Sequence, residues 1–330
     1  MSFDQFILQK QYEKIRGLGD RLDMIKNLIN WNKFRNIIGK LYNNEKTGRP
    51  NHDEVVMIKI LLLQQWYTLS DEELEYQIHD RISFRKFLDF PEKIPDYSTV
   101  WRFRERLSET NTLKKVWTEL QHQMDNKGLT VKSGVIQDAS FIEADLGRKK
   151  HYEEKKAEKR GEKIDYSNKQ KAHMDADGTF SVKHGQVHYG YKLHEKSDVD
   201  YDLIRAFEVT TASLHDNQID LIKPGDIAAY RDKGYAGKPI KHKGVLDRTM
   251  KKAAREKPLT KKEKAYNKKI SHIRAPGERQ FSVIKNIFKG GYTRLKKIAR
   301  VTVQEMFVCF AYNLYQLVTL IKKGTIPLHT

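Results

Sequence analysis

Cysteine is nearly absent: Cys309 is the single one in 330 residues. That excludes an intramolecular disulfide and any zinc site built on cysteine, and it fits a reducing interior. Long apolar runs are missing as well. No stretch approaches the ~20 residues that a bilayer span requires, and Met1 to Tyr12 lacks the basic-then-apolar pattern of a secretory leader, so the expectation is a soluble, unsecreted protein. Apolar and aromatic residues make up only 38% of the chain, yet 14 Phe, 16 Tyr and 4 Trp supply enough bulk for a true core and exclude disorder throughout. Acidic charge is the scarcer sign, with 43 Asp and Glu against 62 Lys and Arg, a net +19. The excess is local. Between Lys241 and Arg300 stand 20 basic and 4 acidic residues, so these sixty positions carry +16 and the other 270 only +3. Such a block is the footprint of a polyanion partner, most often nucleic acid, because each neutralised phosphate releases counterions. The alternative for a Lys-rich run is a solvated helix face.

The first hundred residues read as helices. Trp31, Phe34, Ile37, Ile38 and Leu41 share one helical face, and Tyr42 to Asn51 forms a loop. A helix from about Asp53 to Tyr67 is too densely apolar for a surface position. Ser70 and Glu73 make a capping box that opens the next helix. After Pro95, Asp96 or Ser98 caps a helix with Val100, Phe103 and Leu107 inward and Ser98, Arg102 and Arg106 opposite, a layout like a helix-turn-helix whose second helix enters a major groove. Beyond Gly128 the pattern changes to short strands: Val135–Ala139, Gly185–Leu193, Leu203–Thr210 and Asp226–Tyr230. Between the first two lies Arg148 to Lys171, ten basic and five acidic residues with scarcely any apolar ones, read as a charged mobile insertion near 148–171. Helical periodicity returns over Lys262–Lys289 and Thr302–Lys322, the last with Cys309 as a packed small hydrophobe. The organisation is therefore a helical domain over 1–127 and an α/β domain over 128–330 closed by a packing helix near 302–322.

Three acids stand out. Asp138 sits at the end of an apolar strand, Asp232 directly follows Ile227–Tyr230, and Glu278 lies at the start of a helix in the basic block. Carboxylates so placed can converge on two Mg²⁺ ions about 3.5–4 Å apart and drive phosphodiester chemistry. Taken singly, each also reads as a turn, cap or surface acid. Asp216, after Leu214–His215, competes for the second place but also looks like a helix cap. An apolar strand leads straight into Asp232, which gives the more rigid placement.

The constellation is more specific than its members. Arg274, three residues, Glu278, six residues and Lys285 reproduce the third-acid signature of DDE-type insertion-sequence transposases. Thr47–Pro50, Leu69–Leu74, Ser83–Leu88 and Pro95–Thr99 resemble the N-terminal domain of the IS-five family, and Gly190–His194, Leu214–Asp216 and Asp232–Tyr235 resemble its catalytic domain. The resemblance runs from about Arg49 to Leu320. It implies an RNase H-like fold, a mixed five-stranded sheet flanked by helices and preceded by an all-helical DNA-binding domain. It also implies Asp138, Asp232 and Glu278 as catalytic and metal-binding triad, with Mg²⁺ as cofactor and Mn²⁺ as substitute. Arg274 and Lys285 would hold DNA phosphates, and Arg102 and Arg106 would read the element ends. The fuller signature has a tyrosine three residues before the arginine, where this chain has Ser271; Tyr266 or His272 would have to replace it.

The implied protein binds terminal inverted repeats, cuts at the ends and joins 3′-hydroxyls to target DNA. It would do so as a homodimer on DNA, with no membrane partner, in the cytoplasm of a prokaryotic cell at the nucleoid. The competing readings are a non-catalytic DNA-binding repressor derived from such an enzyme, and a plain metal-dependent nuclease. Retention of all three acids with Arg274 and Lys285 argues against the first.

Overall fold

The densest apolar run decides where the core lies. In α4, Glu54–Tyr67, every residue from Val55 to Leu63 is buried. The Asp53 carboxylate starts this helix by accepting from the Val55 and Val56 amides at 2.8 and 3.1 Å, and left-handed Thr68 stops it. The one charge in the run, Lys59, donates to Asp89 at 2.6 Å and to the Phe87 carbonyl at 3.0 Å. The computed structural model describes residues 3–42, 50–145, 152–162, 164–172 and 174–326. Thr47, Gly48 and Arg49 of the first motif, with 148–151, 163 and the rest of 43–46, lie outside the described residues.

Around α4 stand α1 (Phe3–Arg16), α2 (Arg21–Leu28), α3 (Arg35–Gly39), α5 (Asp71–Asp80), α6 (Ile82–Phe87), α7 (Tyr97–Ser108) and α8 (Thr112–Asn126). The helix expected over Trp31–Leu41 is a 3-10 turn, Trp31–Phe34, followed by the short α3. Ser70 caps α5 by accepting from the Glu73 amide at 3.1 Å, whereas Glu73 turns its carboxylate to Gln77, so half of the expected capping box forms. Nine residues, 88–96, join α6 to α7, well beyond the three- or four-residue turn of a helix-turn-helix. Left-handed Asp89 and Phe90, then Pro91 and Pro95, keep this connection out of helix.

The α/β part contains β1 (Val135–Ala144), α9 (Tyr152–Lys159), α10 (Asn168–Ala172), β2 (Thr179–Lys183), β3 (Gln186–Asp198), β4 (Ile204–Thr211), β5 (Ala228–Arg231), β6 (Leu246–Asp247), α11 (Lys261–Asn286), β7 (Tyr292–Thr293) and α12 (Ile298–Lys322). Two of these, α9 and α10, lie within or across the end of the charged stretch over 148–171. The sheet follows the order β2-β3-β1-β5-β6, with β4 also on β3 and β7 on β1. Five of its strands, β4-β3-β1-β5-β6, form the expected mixed core, antiparallel through β4, β3 and β1 and parallel from β1 to β6. The other two, β2 and β7, are additions; neither they nor β6 were among the four strands read from the sequence, all three being short and only weakly apolar.

Helix α12 joins the two parts. It packs on β4 and also on α2, α4, α7 and α8, and Phe310 in its middle stacks on Trp31 with ring centroids 6.1 Å apart. One continuous cluster of buried side chains therefore runs from Leu22 through α4 and β3 to Ile326.

Candidate active site

Two parallel strands bring the first two acids together. In β1 and β5, Ile136 pairs with Tyr230 and Gln137 with Arg231. The next residue on each strand is an aspartate, so Asp138 and Asp232 stand side by side where the strands run about 4.8 Å apart; Asp138 is the fourth of the ten residues of β1, inside the strand and not at the end where the sequence placed it, because β1 stays paired with β3 as far as Glu143. Beyond that point β5 ends, and Asp232 caps a 3-10 turn, Lys233–Tyr235, by accepting from the Gly234 amide at 2.8 Å. Asp138 accepts from the Ala139 amide at 2.9 Å. Its carboxyl is pushed above the usual carboxylate range, chiefly by burial and further by Asp232, against the lowering effect of Arg274.

The third acid is placed differently from the expectation. Glu278 lies well inside the 26-residue α11, not at its start. Pro276, inside the stretch read as helical, is accommodated within α11. Gly277 explains the close packing: a Cβ there would stand 3.4 Å from Ile136 Cγ2, so the bare backbone lies against β1. This seat lets Arg274, one residue short of a turn earlier, reach β1, where its Nη2 donates to Asp138 Oδ2 at 2.5 Å. Its Nη1 rests 3.7 Å from Met250 Sδ, and its Nε is buried with no hydrogen-bond partner. Glu278 follows Arg274 by one helical turn and is exposed. Among the described residues no three His, Cys, Asp or Glu side chains stand close enough to share a metal ion. The structure thus joins Asp138 with Asp232 and Arg274, and it leaves Glu278 at the rim. The donor chemistry nevertheless suits a hard divalent cation, because Asp138 and Asp232 offer carboxylate oxygens and the desolvated Asp138 already holds a cation, the guanidinium.

Lys285 is exposed two turns beyond Glu278. Its ammonium is pulled down first by partial loss of water and also by Lys183, opposed by Glu143. Gly291 makes room for it, since a Cβ there would come within 2.8 Å of Lys285 Cγ. The same neighbourhood holds residues that the sequence reading did not select. His188 Nδ1 meets Glu143 Oε1 at 2.6 Å, and its ring stacks on Phe141 at 4.0 Å. Lys192 Nζ stands 5.0 Å from the Phe141 centroid and Lys183 Nζ 5.8 Å. Lys192 is buried and donates to Asp216 at 2.8 Å and to the Leu214 carbonyl at 2.7 Å. Asp216 is thereby committed to pinning its own loop. The available signal for these residues was charge inside an otherwise apolar strand, as in Lys192, Glu195 and Lys196 of β3.

Outside this cluster, Ser271 and His272 are exposed and Tyr266 packs under Lys251, whose Nζ lies 5.9 Å from the ring. Arg102 and Arg106 are exposed on α7, with the Arg106 guanidinium 5.2 Å over Tyr42. Tyr97 and Trp101 are exposed on the same helix. The intervening Arg104 points inward to Asp71, 2.6 Å away.

Comparison with known proteins gives two family matches. Residues 130–314, more than half of the chain, match the family described as transposase DDE domain. Residues 9–106 match a transposase domain of the DUF772 type. Among solved structures, the chain is similar to the cryo-EM structure of the piggyBac transposase synaptic complex with hairpin DNA, at 10% identity and a TM-score of 0.42, covering 93% of this chain and 75% of that one.

Proposed function

The chain belongs to the transposase DDE-domain family, and on that premise we propose that it binds the terminal inverted repeats of an insertion sequence, cleaves DNA at those ends and joins the 3′-hydroxyls to target DNA. The observation that carries this reading is the placement of Asp138, inside β1, beside Asp232, at the end of the neighbouring parallel β5, with Arg274 against Asp138. Asp138, Asp232 and Glu278 are the residues that would hold divalent metal. When bound, Mg²⁺ or Mn²⁺ supplies Lewis-acid activation of the attacking oxygen and stabilises the leaving one.

The chain's own groups supply the rest. Arg274 balances the Asp138 charge, and its free Nε is a donor for a phosphate oxygen of the scissile strand. Lys285 and Lys183 add cations beside Glu143, and the basic stretch over 241–300 gives sequence-independent contacts to the DNA backbone. Arg102 and Arg106, exposed on α7, are assigned to the element ends. The Arg274–Glu278–Lys285 spacing favours the IS-five branch, and a homodimer on DNA is the working assembly.

The test is incubation of the protein with a duplex ending in the element's own repeats, Mg²⁺ and a plasmid target. Joined product is expected from the wild type. Asp138→Asn should abolish it while binding to end DNA persists, because removing a carboxylate charge does not weaken phosphate contacts. Loss of binding and cleavage together would make Asp138 a structural residue and overturn the assignment.

A further inference from the structure

One pair of strands runs out beyond the rest of the sheet. In β3 the residues from Gly190 to Asp198 pair with β1, whereas Gln186 to Tyr189 pair, among the described residues, with β2 alone. The two-residue turn His184-Gly185, with φ angles of 52° and 78°, closes this hairpin tightly. Its base is anchored, since His188 stacks on Phe141 and meets Glu143. Its tip is not. The cross-strand pairs Phe180–Tyr189 and Val182–Val187 share one face, and on it Phe180, Val182 and Val187 are 54%, 67% and 63% exposed. Lys183, His184 and Gln186 are exposed around the turn. A two-stranded ribbon is marginally stable in water without a third strand or a packed face, so the bare apolar face calls for a partner.

Charge and size say which partner. No Asp or Glu stands between Gly178 and His194, while Lys183, His184, His188 and Lys192 do. The acids beside the base are engaged: Glu143 by His188, Asp175 by the Tyr191 hydroxyl and Asp177 by the Ile298 amide. The surface therefore complements a polyanion. A ribbon two strands wide fits the major groove of B-DNA, about 12 Å across, where glutamine pairs with adenine edges and apolar side chains meet thymine methyl groups. From Gln186 to Glu195, the partner of Asp138, β3 runs nine residues, which sets the tip up to about 30 Å from the acid.

We propose that the β2–β3 hairpin is a DNA-reading finger, entering the major groove of the bound duplex about nine base pairs from the cleaved bond, with Gln186 on base edges and Val182 and Val187 against thymine methyl groups. The inference rests on the end-binding reading above and adds to it a specificity element separate from α7.

The experiment puts the full-length protein on a duplex ending in the element's own repeats and follows binding by fluorescence anisotropy, contacts by dimethyl sulfate footprinting and folding by thermal melts. The wild type should protect guanine N7, in the major groove, in a patch centred about nine base pairs from the cut, while adenine N3 in the minor groove stays reactive there. Gln186→Ala, and Val182→Ala combined with Val187→Ala, truncate exposed side chains. Both should melt with the wild type, lose that patch and bind the ends about tenfold more weakly, with affinity for random DNA little changed. Unchanged protection and affinity in both would overturn the finger and leave end binding standing. A wild type that does not prefer the repeats to random DNA overturns the end-binding reading and the finger with it. If the valine variant instead dissociates a dimer seen by light scattering without DNA, and the footprint stays intact, the hairpin is a contact between copies of this chain and the inference fails.

Discussion

Glu305 and Glu195 are acids in places where acids are rarely found. Both are fully buried and held well above the usual carboxylate range, first by the loss of water; Asp138 and Glu305 add to the effect on Glu195. Glu195 faces Asp138 across the β1–β3 pair, and neither of its oxygens has a partner. At pH values between the unfolded and the raised folded pKa, the folded chain therefore keeps protons on these groups that the unfolded chain releases. Stability is greatest below the ordinary glutamate value of about 4.3 and declines as pH rises from there through the raised folded value. Glu305→Gln should flatten this decline, raising the melting temperature more at pH 8 than at pH 5. Equal shifts at both pH values would show that the proton on Glu305 is not the source.

Among the elements, α11 depends on one missing side chain and α7 on the division between its two faces. Gly277→Val should drive α11 off Ile136, since the added methyls meet a surface already at contact distance. Overpacking of this kind costs about 1–3 kcal/mol. The strand-transfer rate should fall by more than the stability loss explains, because Arg274 is carried away from Asp138; a variant that melts lower with normal turnover would refute that link. On α7, Arg104→Ala leaves Asp71 poorly compensated and should cost about 3 kcal/mol in chemical denaturation. Arg102→Ala should leave stability unchanged and lower discrimination between end and random DNA, because base-edge contacts by Arg are worth ~1–3 kcal/mol. Equal loss on both DNAs would reduce Arg102 to a phosphate contact.

At the scale of the whole molecule, the helical and α/β parts share one core through α12. Removing the Phe310 ring should therefore be felt on both sides. Phe310→Ala should destabilise by about 3–5 kcal/mol, with tryptophan fluorescence from Trp31 and far-ultraviolet dichroism of the sheet shifting together in one transition. Two separated transitions would show that α12 does not couple the parts. The basic stretch over 241–300 acts at this scale too: Lys285→Ala should weaken binding to end and random DNA alike and reduce the salt slope by about one.

Amino-acid order alone determined the elements with strong local signals. Asp53, Ser70 and Asp96 mark helix starts through their side-chain oxygens, the apolar density of 55–63 marks the central helix, and the β-branched runs around 135, 187, 204 and 228 mark strands. The Arg274–Glu278–Lys285 spacing pointed to the chemistry because a helix keeps its period whatever it packs on. Tertiary structure decided what no spacing encodes. It set Asp138 beside Asp232 through the β1–β5 register, turned Arg274 onto Asp138 because Gly277 lets the helix close on the strand, and ran α11 straight through Pro276 because packing outweighs one lost hydrogen bond. It also buried Lys192 and tied it to Leu214 and Asp216, partners 22 and 24 residues distant that meet it only when the sheet assembles.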